Sequence, residues 1–179
     1  LFGMPDDAIK QQAKRLSALG FNLVRLHHHD SPWVLPNIFG DSRVTRSTQE
    51  LSPQSLKKID WWIKCLKDEG IYVWLDMHVQ RALLEKDNIY GFDELPKEEQ
   101  NFAYLKGYAY VNLTIQKAMK RFTEDYLTHV NPYTGLAYKD DPAVAAVLIT
   151  NENDLTHHFG NALLPDKNVP KHNSVYMAE

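Results

Sequence analysis

A single cysteine, Cys65, stands in 179 residues, so the chain cannot build a disulfide framework within itself. Its setting between Lys64 and Leu66 in a helical pattern reads most simply as a packed thiol. No apolar run approaches the roughly 20 residues needed to cross a bilayer, and no signal-peptide pattern begins at Leu1. Neither sign of charge is in large excess, since 20 Lys and Arg against 23 Asp and Glu leave a net charge of −3. That balance provides no basic face for nucleic acid, so neither nucleic acid nor a membrane is an expected partner. Low-complexity linkers are missing as well, which favours one domain across 1–179. What is present is apolar material for a core: 44% hydrophobic residues, 11% aromatic, too much for general disorder.

The stretch from Asp140 to Glu152 is the most informative, because an apolar run rich in Val and Ile starts after Pro142 and stops abruptly at Asn151 and Glu152. Such runs are expected to form strands buried on both faces of a parallel sheet, where chemistry collects at the carboxyl ends. Phe21–Leu26 predicts a second strand, ending in His27, His28, His29 and Asp30, and Ile71–His78 a third. Each is preceded by a helix-shaped segment expected to close at a glycine. Ile9, Ala13, Leu16 and Leu19 mark one face before Gly20; Ser52 and Pro53 start a second helix carrying Leu56, Ile59, Ile63 and Leu66 before Gly70. Alternating helix and strand implies a parallel α/β sheet joined by right-handed crossovers.

Two connections, Ser31–Ser52 and Gln80–Gly107, are long for a compact domain. Both follow strand ends, so they are expected on the Glu152 face, where they could wall a cleft. Trp33 and Phe39 in the first, with Tyr90 and Phe92 in the second, could either stack on a sugar or anchor the loops.

Gly20–Arg25, Leu75–His78 and Thr150–Glu152 together resemble the second, third and fourth strands of clan A glycoside hydrolases, most closely family five cellulases and mannanases. The run from Asn131 to Pro142, with Thr134-Gly135 and Tyr138-Lys139-Asp140-Asp141-Pro142, is similar to the approach to the acid-bearing strand in endo-mannanase-like members. The resemblance implies a partial TIM (β/α)8 barrel holding parallel strands two to four with their helices, 1–179 being a fragment of one catalytic barrel. A full barrel takes roughly 250 residues. Where many members follow Asn-Glu with Pro, this chain has Asn153-Asp154.

The resemblance also implies roles. Glu152 would be the general acid/base and Asn151 would hydrogen-bond the sugar 2-hydroxyl. Arg25 would hold the second carboxylate ionised, with His78, His29 and Trp33 completing the substrate-binding set. Retaining hydrolysis requires one carboxyl held protonated and one charged, hence unlike surroundings for two similar groups. The implied substrate is a β-linked polysaccharide or oligosaccharide of mannan or glucan type, with no cofactor and no metal. The parent protein would be secreted or periplasmic. The nucleophile belongs to the seventh strand of the resembling enzymes, so the fragment is expected to be inactive alone and to self-associate through open edges.

Two other readings compete. His27 and His29 form a His-x-His pair that on one side of a strand, with His78 or Asp30, could bind a divalent metal, as in metal-dependent hydrolase barrels, although Arg25 would oppose the cation. Alternatively the barrel is a non-catalytic carbohydrate-binding scaffold. His157-His158 suggests only a solvated helix start.

Overall fold

The computed structural model describes residues 1–95, 103–153 and 170–172. The expected alternation is present. Helix α1 (Asp6–Ala18) leads to strand β1 (Leu23–Leu26), and α2 (Pro53–Asp68) leads to β2 (Tyr72–His78). A two-stranded antiparallel ribbon follows, β3 (Ala82–Leu83) with β4 (Ala103–Tyr104), then α3 (Leu113–Thr128) and β5 (Val144–Thr150). The main sheet is parallel in the order β1-β2-β5, with Arg25 beside Trp74 and His78 beside Thr150.

Local chemistry explains the helix limits. Asp6 and Asp7 in the first turn and Arg15 in the last suit the α1 dipole. Ser52 caps α2 by accepting the Ser55 amide, and Pro53 takes the first turn, where its missing N–H costs nothing. Gly20 and Gly70 follow with φ of 84° and 73°, a conformation that favours glycine. The third helix departs from expectation. It starts at an Asn112 cap and ends at His129 without a glycine; Gly135 belongs to the turn beyond.

Packing is one-sided. Val73, Leu75 and Met77 of β2 are wholly buried in a core shared with Ile9, Ile59, Ile63 and Phe122. Cys65 lies there too, a buried free thiol. Ile63→Ala should cost about 2–5 kcal/mol, since α2 cannot collapse onto the void without leaving the sheet; urea unfolding measures it.

The expectation that β5 is buried on both faces fails. Its residues alternate between half-buried and exposed, with Val147 and Ile149 at 38% and 55% exposure. Among the described residues β5 pairs only with β2, and none of them pairs with its far edge. A groove of about 670 Å³ runs there between α3 and β5, lined by His78, Met119, Thr123, Leu127 and Ile149 among others.

The long connections are largely packed. Ile38 and Phe39 are buried in the main core and act as anchors. The segment between β2 and α3 forms a second core from Leu83, Ile89, Leu95, Leu105 and Tyr108 with Ile115 of α3, against which Phe92 is partly buried. Tyr90 and Trp33 stay more than half exposed.

Candidate functional site

Parallel pairing brings the carboxyl ends of β1, β2 and β5 to one edge. There Arg25 Nε donates to both carboxylate oxygens of Asp76, at 3.1 and 2.8 Å, and its Nη2 donates to Asn151 Oδ1 at 2.8 Å. The guanidinium also sits 5.5 Å from the Trp74 ring centre, whose residue is its register neighbour. His27 Nδ1 reaches Asp76 Oδ2 at 2.5 Å. Asp76 is thus a buried acceptor for two side chains, and Arg25 spans the sheet from β1 to the residue after β5. The Asn151 amide continues the ladder by donating to the His78 carbonyl at 2.9 Å.

Glu152 follows with φ of +51°, a left-handed conformation uncommon for a residue with a side chain. Its carboxylate is 59% exposed and Lys106 Nζ lies 3.7 Å away. The αL turn thus falls two residues past the end of β5, and it leaves the Glu152 side chain exposed at the sheet edge. The arrangement provides an exposed carboxylate near the Lys106 ammonium, next in sequence to an amide held by Arg25.

Of the histidines, His27 joins this edge through Asp76, whereas His78 and His29 do not. His78 is buried, its Nε2 3.4 Å from Thr123 Oγ1 and its ring 5.0 Å from that of Phe122, so its backbone is at the edge while its imidazole packs on α3. His29 is buried between Tyr126, at 5.3 Å, and Phe122, at 6.4 Å. His78 and His29, both expected to bind substrate, are buried side chains, and His78 also lines the groove between α3 and β5. The same-side geometry of His27 and His29 fails because β1 ends at Leu26 and His28, at φ of +57°, turns the chain. Asp30 is also committed, accepting the Val79 and Gln80 amides across the sheet. Among the described residues no group of three or more His, Cys, Asp or Glu is gathered to hold a metal ion. Trp33 remains at the rim, its ring 5.2 Å from His28. Asp154 and His157-His158 lie outside the described residues.

Burial, reinforced by the Arg81 charge, pushes His78 down to about 3, and burial also lowers His29. Both are uncharged when folded near neutrality, whereas unfolded histidines take protons below about 6.5. The unfolded chain then binds more protons. Stability is therefore full above about pH 6.5 and falls on acidification, by at most about 1.4 kcal/mol per pH unit for each histidine, down to about pH 3 for His78. Urea midpoints at pH 7.5 and 5.0 should differ in that direction, and His78→Gln should shrink the difference.

Sequence reasoning missed Asp76 as the partner of Arg25, and Lys106 altogether. Asp76 shares a face with Arg25 only once Arg25 is known to lie beside Trp74, whereas nothing in the sequence marks Lys106 as near Glu152.

Comparison with known proteins bears on the fold and the family. The fold is similar to an endo-1,4-β-mannanase from Rhizomucor miehei, with a TM-score of 0.57 and 19% identity over 84% of this chain and 41% of that one. An endo-β-1,4-mannanase from Thermotoga petrophila gives 0.56 and 19%, over 90% of this chain and 35% of the other. A family 5 mannosidase from Rhizomucor miehei gives 0.55 and 15%, over 91% and 43%. The chain thus spans less than half the length of each of these relatives, and its sheet and helices form part of a (β/α)8 barrel. No curated protein matches the chain. The family model described as "Cellulase (glycosyl hydrolase family 5)" matches residues 2–130, and the chain belongs to glycosyl hydrolase family 5.

Proposed function

We infer that this chain supplies the acid/base side of a retaining β-glycoside hydrolase, acting within a longer barrel on a β-linked polysaccharide or oligosaccharide, mannan first and glucan second. The supporting observation is the exposed Glu152 carboxylate next to Asn151, itself held by Arg25. Glu152 protonates the leaving glycosidic oxygen and then activates water. Asn151 faces the sugar 2-hydroxyl with the donor hydrogens its Oδ1 contact leaves free. Arg25 carries a permanent positive charge at the edge and favours an ionised second carboxylate nearby. Trp33 offers an aromatic face to a sugar ring. His78 and His29 support the site from behind by packing against α3. The mannan preference rests on the similarity of the fold to endo-β-1,4-mannanases.

Retaining hydrolysis places a nucleophile roughly 5 Å from the acid. Asp76 is buried and satisfied by Arg25 and His27, and Asp30 by backbone amides, so neither fills that role. The 179-residue chain is therefore inactive alone, and the exposed Val147 and Ile149 beside the open β5 edge favour self-association. The test is hydrolysis of β-1,4-mannan and β-1,4-glucan oligosaccharides by the parent protein, with the product anomer followed by NMR. Initial release of the β-anomer supports the proposal; the α-anomer, or hydrolysis of neither substrate, ends it.

A further inference from the structure

The insert between β2 and α3 approaches the Glu152 turn at three points. The Gly107 amide donates to Asn153 Oδ1 at 2.6 Å, and the Tyr110 hydroxyl donates to the Asn153 carbonyl at 2.5 Å. Lys106, itself buried, brings its ammonium 3.7 Å from Glu152 Oε2. These residues are not on a loose loop. Leu105, Tyr108, Ala109 and Val111 are buried in the second core, and Tyr108–Tyr110 forms a short 3₁₀ turn starting at Gly107.

On the other side of Glu152, Asn151 is fixed by the His78 carbonyl and by Arg25. A residue in the αL conformation between two such anchors is held there by its neighbours, since αL is sparsely populated for Glu. The Asn151 side belongs to the barrel. Among the described residues, the hydrogen bonds on the Asn153 side come from the insert.

We propose that Asn153 and Tyr110 are positioning residues, through which the insert between β2 and α3 fixes the direction of the Glu152 carboxylate for proton transfer. This rests on the general-acid role proposed above for Glu152. Neither residue has to touch substrate. Each acts by keeping the turn in the one conformation that aims Glu152 out of the sheet edge. Lys106 supplies a charge from the same segment.

Two variants test it: Asn153→Ala removes the acceptor for Gly107, and Tyr110→Phe removes one oxygen while keeping the ring. In the 179-residue chain, Asn153→Ala should speed exchange of the Gly107 amide about fivefold to tenfold, as expected for one lost hydrogen bond. Turnover is read in the parent protein as kcat/KM, which covers the acid-assisted step. A basic leaving group needs the acid; dinitrophenolate departs without it. Both variants should therefore lower kcat/KM on an unactivated β-linked oligosaccharide by about tenfold, while the value on a dinitrophenyl β-glycoside stays within about twofold.

An equal fall on both substrates would mean a merely structural role and would overturn the proposal. So would unchanged kcat/KM on the oligosaccharide beside a Glu152→Gln variant that has lost it. If Glu152→Gln itself shows no dependence on the leaving group, the general-acid assignment fails and the positioning role goes with it. Unchanged Gly107 exchange in Asn153→Ala removes the clamp whatever the kinetics show.

Discussion

Glu152→Gln should lower kcat/KM of the parent protein on unactivated β-linked oligosaccharides by about 10²–10⁴-fold, the usual contribution of a positioned general acid. The amide is close to isosteric and leaves the αL turn, the Arg25–Asn151 bond and the Asn153 contacts intact, so the loss reports proton transfer rather than unfolding. Circular dichroism should therefore stay at the wild-type value, and the urea midpoint should move by no more than the contribution of the partly exposed Lys106–Glu152 pair, about 1 kcal/mol. The 179-residue chain itself should show no turnover of an aryl β-glycoside. Asp76 and Asp30 are each buried and fully engaged, and freeing Asp76 would leave Arg25 and His27 without their carboxylate. Turnover by the isolated chain that Glu152→Gln abolishes would show that a second carboxylate is already in place.

The second large effect lies away from the site. Asp60 on α2 is almost wholly buried, yet its carboxylate accepts the Tyr138 hydroxyl at 2.6 Å and meets His129 Nε2 at 3.0 Å. Burial first, then Tyr126 and Asp60, hold the Tyr138 phenol far above its ordinary range, so it remains a donor. Asn131 Nδ2 adds a bond to the Asp60 carbonyl at 3.0 Å. One helical residue thus ties α2 to the segment that delivers the chain into β5. Asp60→Ala leaves a buried hydroxyl and an imidazole without their acceptor and should destabilise by about 2–4 kcal/mol. Tyr138→Phe, which removes one donor and keeps the ring on Tyr126, should cost about 1–3 kcal/mol. Urea unfolding at pH 7.5 measures both, and an Asp60→Ala midpoint within error of wild type would rule out this linkage.

Much of the fold was legible because its signals are local. The Ser52-Pro53 start, the glycines after α1 and α2, and the apolar runs into β1, β2 and β5 depend on a few adjacent residues each. The errors arose where local pattern and tertiary setting diverge. Val144–Thr150 has the composition of a fully buried strand, but burial depends on neighbours, and β5 has one only on the β2 side among the described residues. His27 and His29 alternate in sequence as strand residues do, yet the strand has ended before them, and an αL residue between them sends one to Asp76 and the other into the core.

The sequence by itself determined the alternation of helix and strand, the parallel sheet it implies, and the placement of Arg25, His78, Asn151 and Glu152 at strand ends, because periodicity and capping act over one or two turns of chain. Only the tertiary structure decided which of those side chains meet. The register that sets Arg25 beside Trp74 turns Asp76 into its partner, packing of α3 draws His78 and His29 away from the edge, and the insert's own core brings Lys106, Gly107 and Tyr110 against the Glu152 turn. With the Arg25–Asn151 bond, these contacts join residues 43 to 126 positions apart, and at such separations direction is set by which surfaces exclude water together, a property of the assembled layers.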